Sequence, residues 1–319
     1  MFKCDLSIDS KDIKSTLSKL KTEKDFTVLL DITVIDYLTF PDTTPSRFAV
    51  VYILRDSSFK NQISVKTFVD DSTLEVDSIC YLYNAANWAE REAYDQYGIT
   101  FKGHPNLKRL LNHHQFIGYP LRKDYEITKG QICTHTEDLM DEMDPLLVSK
   151  GYTPEDINDL MLLNVGPSHP ASHGTIRNFV AMEGETITAC VTEIGYLHRG
   201  FEKSCENHTY SQVIPYTDRL NYCSAILNNI GYSKAVEEML NIDITARAKI
   251  IRIIIGELSR IIDHLVCNAA NMVDLGGLTN FWYLFAPRDS AYDLLSKLTG
   301  ARLTNTYTRI GGLEFDLYD

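Results

Sequence analysis

Between Phe26 and Val69 the chain runs in short β-branched blocks, TVLLDITVIDYL, RFAVVYILRD and QISVKTFVDD, parted by polar turn-forming stretches. Blocks of that length rich in Val, Ile, Tyr and Phe predict three strands, joined as an antiparallel meander. Upstream, Ile13, Leu17 and Leu20 recur at helical spacing in SKDIKSTLSKLKTE, and a second helix is expected around Cys80 to Tyr97. The first domain, residues 1–128, therefore reads as α+β with an antiparallel sheet.

Residues 129–159 are acidic, TEDLMDEMDPLLVSKGYTPEDINDL, with Pro145 and Pro154 as turn or helix-start signals. This reads as a linker in which Leu139, Met143, Leu146 and Leu147 could dock a short helix on a neighbour. From residue 160 to 319 a strand, MLLNVG, is followed by the turn-rich PSHPASHG and a strand pair around TIRNFVAMEG and ETITACVTEIG. Helices dominate the rest. Asp218 is a candidate cap for a helix to about Leu240, Asp243 or Thr245 for a long helix to about Met272, and a further helix is expected from Arg288 to Leu298. The second domain thus predicts a small β-sheet region leading into a helical bundle, so the fold class of the whole is α+β.

At 319 residues the chain is long for one core, which agrees with two domains. A formal charge of −12 works against nucleic acid, whose phosphates need clustered Lys and Arg. The start, MFKCDLSIDSKDIKSTL, lacks an apolar stretch and does not read as a secretory signal. In the most apolar segment, Ile250 to Val266, the residues Arg252, Glu257, Arg260, Asp263 and His264 interrupt any membrane span, so membrane association is expected to be peripheral. Seven cysteines form no CxxC pair and read as free thiols. No metal ligand set is visible in the sequence.

The chemistry-bearing strings are EREAYDQYGITFKGHPNLKRLL (Glu90–Leu111) and GYPLRKDYE in the first domain. In the second they are NVGPSHPASHGTIR (Asn164–Arg177), EIGYLHRGFEK, YTDRLNY, GELSRIIDHL and VDLGGLT. On residue type alone each has an ordinary role. His169 and His173 would hydrogen-bond within a turn, and Tyr222 would be a core tyrosine on a helix. Asp274 would be a carboxylate at a helix end, and Arg199, Arg219 and Arg260 would form surface ion pairs.

The first set closely resembles the C-type (30 kDa type) subunit of respiratory complex I, NADH:quinone oxidoreductase, a subunit without a redox centre. The second resembles the D-type (49 kDa type) subunit, itself related to the large subunit of nickel–iron hydrogenases. Together they look like the fused C/D subunit of some bacterial complexes. The resemblance implies a peripheral-arm subunit of a proton-pumping enzyme, on the cytoplasmic face of the bacterial inner membrane, that is not active alone. By the same resemblance His173 and Tyr222 hold the quinone headgroup, Asp274 pairs with His173, and Arg199 lies near an iron–sulfur cluster of a neighbouring subunit. A quinone has two carbonyl acceptors on opposite edges of a flat apolar ring, so two facing donors suit it, and imidazole can supply a proton near neutral pH.

The chain itself is expected to bind no cofactor. Quinone is the implied substrate, and iron–sulfur clusters and flavin belong to partners. Those partners are the other complex I subunits, especially the B-type iron–sulfur subunit, the I-type ferredoxin-like subunit and the H-type membrane subunit. Two alternatives belong to other classes: a hydrogenase-like large subunit and a purely structural assembly subunit. A hydrogenase centre needs two CxxC pairs, and in RLNYCS only Cys223 is present. The chain departs from the family pattern at Ser168, where glutamine is usual, and at Thr304, where many members carry a histidine near the cluster. It also ends at LEFDLYD, where the D-type subunit would continue, so the second domain is expected to be truncated.

Overall fold

The computed structural model describes residues 4–134 and 138–317. They fall into two compact units, Met1–Gly200 and Phe201–Asp319.

In the first unit β1 (Leu6–Ile8), α1 (Ile13–Glu23), β2 (Val28–Asp36), β3 (Phe48–Arg55) and β4 (Gln62–Phe68) build a four-stranded sheet in the order β1-β4-β3-β2. The expected meander is present: β2, β3 and β4 pair antiparallel. The additional strand β1 lies parallel to β4; three residues are too short to carry a readable period. FAVVYIL of β3 is nearly continuous in apolar residues because β3 is an inner strand, whereas β2 alternates. Ile13 and Leu17 of α1 are fully buried in the core beside Val50, Tyr52 and Val65.

The paired strands β5 (Glu75–Asp77) and β6 (Thr100–Lys102) flank α2 (Ala86–Tyr97), which begins six residues later than expected because residues 80–85 form turns. Gly98 ends α2 at φ 75°, and a Cβ there would come within 2.6 Å of the Tyr119 ring and the Arg122 guanidinium.

The acidic stretch is ordered where described. α3 (Met140–Ser149) and α4 (Pro154–Asp159) fold within it, and Leu139, Met143 and Leu147 bury against the antiparallel sheet of β7 (Met161–Val165), β8 (Arg177–Glu183) and β9 (Thr186–Glu193).

The second unit is mostly helical: α5 (Phe201–Cys205), α6 (Tyr210–Asp218), α7 (Ala225–Leu240), α8 (Ala246–Asp274) and α9 (Leu278–Thr299), closed by the hairpin of β10 (Thr308–Arg309) and β11 (Gly312–Leu313). Thr245 caps α8 by accepting the Ala248 N–H, as the sequence allowed. Two expectations are corrected. Asp218 ends α6 instead of capping α7, because residues 219–224 break the helix. α9 begins ten residues before Arg288, and Pro287 lies inside it. Ile226, Ile251, Ile255, Ile262, Tyr292, Leu295 and Tyr307 form this unit's core.

Candidate functional site

The histidine turn of the first unit lies between β7 and β8. Gly166 has φ 105°, and a Cβ there would meet the Ile176 carbonyl oxygen at 1.9 Å, so the chain can close this loop only with glycine. Within the loop His169 Nδ1 accepts the Ala171 N–H at 3.2 Å and starts a 3-10 turn over Pro170–Ser172. His173 ends that turn in left-handed backbone, φ 49°, and its ring is exposed. Arg177 fixes the loop's exit: it donates to Asn164 Oδ1 and pairs with Glu193 at 3.1 Å.

Tyr222 lies in the second unit and not on an α-helix. It opens a 3-10 turn, Tyr222–Ser224, between α6 and α7, and is 59% exposed rather than a core side chain. The polar residues around it explain both facts. Asn221 Nδ2 and Ser224 Oγ donate to Asp263 Oδ2 on α8, at 3.2 and 3.1 Å, and Asn221 also donates to Ser224. These bonds draw the backbone out of helical geometry and fasten the turn to α8, so the phenol is presented outward from a fixed base. Burial pushes the neighbouring Cys223 thiol up, with Asp263 adding to it. That disfavours the thiolate a metal would need. Asp274 is the last residue of α8 and is exposed. A carboxylate at that end of a helix opposes the helix dipole.

Of the arginines, Arg199 is exposed in the loop before Phe201. Arg260 pairs with Glu257 on its own helix at 3.0 Å, and Arg219 donates to the Pro215 carbonyl. Thr304 takes left-handed backbone, φ 47°.

In the first unit the long motif around α2 turns a polar face inward. Glu90 and Asp95 are fully buried, and Asp95 accepts the N–H groups of Leu110, Leu111 and Asn112 together with Arg109 Nη1 at 2.7 Å. Arg91 donates to the carbonyls of Lys108 and Arg109. The motif's charges therefore hold a loop.

Residues 6–131 match the family described as respiratory-chain NADH dehydrogenase, 30 Kd subunit, and residues 274–319 match the corresponding 49 Kd subunit family. The chain is similar to the NADH-quinone oxidoreductase C/D subunit of Bdellovibrio bacteriovorus, 46% identical over 312 residues, which is 98% of this chain and 54% of that protein. The C/D subunit of Chromohalobacter salexigens is 39% identical, over 86% of this chain and 48% of that protein. The C/D subunit designated 2 in Aquifex aeolicus is 38% identical, over 96% of this chain and 54% of that protein. The chain belongs to the family of fused C/D subunits. It spans about half the length of these curated relatives.

In this member of the C/D family one cluster forms no local motif, because its members are 10 and 14 residues apart. Cys80, Glu90 and His104 bring their ligand-type atoms within 4.8 Å of one another. The hydrogen bonds show what the cluster does. His104 Nδ1 accepts the Asn106 N–H, so Nε2 carries the proton donated to the Asn87 carbonyl. Cys80 donates to Glu90, whose other oxygen accepts the Ile79 N–H. Burial pushes the Glu90 carboxyl up and the Cys80 thiol up to about 11. The Cys80 thiol therefore keeps its proton and donates it to Glu90, and the cluster is a hydrogen-bonded network joining α2 to its flanking turns.

Among the described residues no helix is long and apolar enough to cross a membrane. The quinone-site residues that the resemblance implies fall on separate units, His173 on the first and Tyr222 and Asp274 on the second.

Proposed function

We propose that this chain is a peripheral-arm subunit of a proton-pumping NADH:quinone oxidoreductase, and that it contributes the quinone headgroup site through His173 and Tyr222, with Asp274 as the partner of His173. The observation that carries the reading is the Tyr222 turn: a phenol exposed on a base fastened to Asp263, in a chain of this family. A tyrosine kept only for packing would be buried, whereas a donor to a quinone carbonyl has to be reachable and held still. Asp274, exposed at the end of α8, is the kind of group that can steady an imidazolium.

In this reading electrons arrive from a cluster held by the B-type subunit, near Arg199. The I-type and H-type subunits flank the site at the cytoplasmic face of the inner membrane. Quinone reduction takes up protons, and His173 supplies one as a general acid. The lone Cys223, its thiol raised by burial, favours this assignment over a hydrogenase-like metal centre.

In the assembled complex, Tyr222→Phe and His173→Ala are expected to lower quinone reduction by about tenfold or more, each removing one hydrogen bond to the headgroup. Electron transfer from NADH to an artificial acceptor upstream should persist. Asp274→Asn should lower turnover less and shift its pH profile to lower pH, since His173 loses the charge that favours its protonated form. Equal loss of both activities would point to misassembly, and unchanged quinone reduction in both Tyr222→Phe and His173→Ala would refute the site.

A further inference from the structure

Asp263 has an unusual set of partners for an aspartate on a long helix. Arg260, three residues before it on α8, pairs with Glu257, and among the described residues no cation pairs with Asp263. Its Oδ2 instead collects two neutral donors that both belong to the turn carrying Tyr222: Asn221 Nδ2 at 3.2 Å and Ser224 Oγ at 3.1 Å. Asn221 Nδ2 also donates to Ser224 Oγ at 2.8 Å, so the three side chains close a ring of hydrogen bonds. An amide nitrogen carries two hydrogens and a hydroxyl carries one, so each bond of the ring has a hydrogen of its own.

Asn221 and Ser224 stand on either side of Tyr222 and Cys223, and both leave helical backbone, at φ −134°, ψ 88° and at φ −129°, ψ 49°. The residues that bond Asp263 are therefore the ones at which the helix is broken. Each side of the ring is anchored in the core. Ser224 is buried and leads into Ile226, while Asp263 follows Ile262, and both isoleucines are fully buried in the same cluster. Tyr222 has no anchor of its own: its side chain is exposed, and among the described residues its hydroxyl makes no hydrogen bond. The direction of the phenol is thus set by the backbone that the ring holds.

We infer that Asp263 is a positioning residue of the quinone site, aiming the Tyr222 phenol through Asn221 and Ser224 without touching the quinone itself. This rests on Tyr222 being the headgroup donor. A donor that swings on a loose turn meets the headgroup carbonyl for only part of the time, so a held one binds better. What position 263 must supply is an acceptor and not a charge, because both of its donors are neutral and one amide oxygen can accept from both.

In the assembled complex, Asp263→Leu, which keeps a similar volume without an acceptor, should lower kcat/KM for quinone by about fivefold to tenfold. Electron transfer from NADH to an artificial acceptor should persist, and Asp263→Asn should recover most of the loss. A double-mutant cycle decides the route: because Asp263 acts through Tyr222, adding Asp263→Leu to Tyr222→Phe should cost less than about twofold more. Ser224→Ala, which cuts the ring but leaves the Asn221 bond to Asp263, should lower kcat/KM by about threefold, again without adding to Tyr222→Phe. It serves as the test if Asp263→Leu does not assemble. Losses that multiply in the double variants, or native kcat/KM in both Asp263→Leu and Ser224→Ala, would overturn the inference while leaving Tyr222 as donor. Native activity in Tyr222→Phe would instead remove the donor, and the role of Asp263 with it.

Discussion

Arg252→Ala is expected to destabilise the second unit by about 3–5 kcal/mol, the largest effect of any single substitution in that unit. Arg252 sits within the long apolar helix α8, where the sequence shows it only as an interruption. In the fold its side chain is 4% exposed and faces Glu237 of α7, which is 7% exposed, at 2.6 Å. The pair is bidentate, and Arg252 Nη2 also donates to the carbonyls of Arg309 and Gly312, while Glu237 accepts the Gly311 N–H. One guanidinium thus joins α7, α8 and the closing hairpin. Removing it leaves a buried carboxylate with a single backbone donor, which costs far more than the intact pair contributes.

The sign of the pH dependence should reverse with it. Burial pushes the Glu237 carboxyl up, but the hydrogen bonds from Arg252 and Gly311 outweigh burial and hold it below the usual range. In the native chain its contribution is therefore full above the ordinary glutamate value and is lost as pH falls through the depressed one. Without Arg252 burial prevails and the carboxyl rises, so the variant should lose stability as pH climbs from the ordinary value through the raised one. Urea unfolding read at Trp282 between about pH 2.5 and 8 would show the two slopes, and Arg252→Met with Glu237→Gln should recover much of the loss. Parallel slopes, or a loss near 1 kcal/mol, would mean that the pair is not buried as described.

Asp95→Ala should have a comparable effect on the first unit, about 3–5 kcal/mol, because it strands several donors at once. Asp95 is fully buried and collects three successive N–H groups and the Arg109 guanidinium. Arg109 keeps a bond to the Gly118 carbonyl, so the damage centres on the loop at 110–112. Asp95→Asn should fall between, since one amide arm would face donors rather than accept from them. Trp88 lies in the same unit as Asp95, so the loss should be read at Trp88. A loss near 1 kcal/mol would contradict the role of Asp95 as the shared acceptor of the 110–112 loop.

What the sequence could show depended on how local the cause was. The β2–β4 meander, the Thr245 cap and the docking of Leu139, Met143 and Leu147 were legible because periodicity and capping act over a few residues. The break before Tyr222 was not, since Asn221 and Ser224 are drawn out of helix by Asp263, about 40 positions on in the chain. The early start of α9 was hidden by Pro287 and its aromatic first turns. Motif strings marked His173, Tyr222, Asp274 and Arg199, but Arg252, Asp95 and the Cys80–Glu90–His104 network emerged only where the fold gathered residues from separate elements.

We propose that quinone is held by this chain at the His173 and Tyr222 turns. Photolabelling of the intact complex with a quinone analogue carrying its reactive group on the headgroup tests it most directly. Label is expected within residues 166–177 and 219–224 of this chain, competed by unlabelled quinone and reduced in Tyr222→Phe. Label confined to other subunits, or falling on this chain only outside those turns, would contradict it.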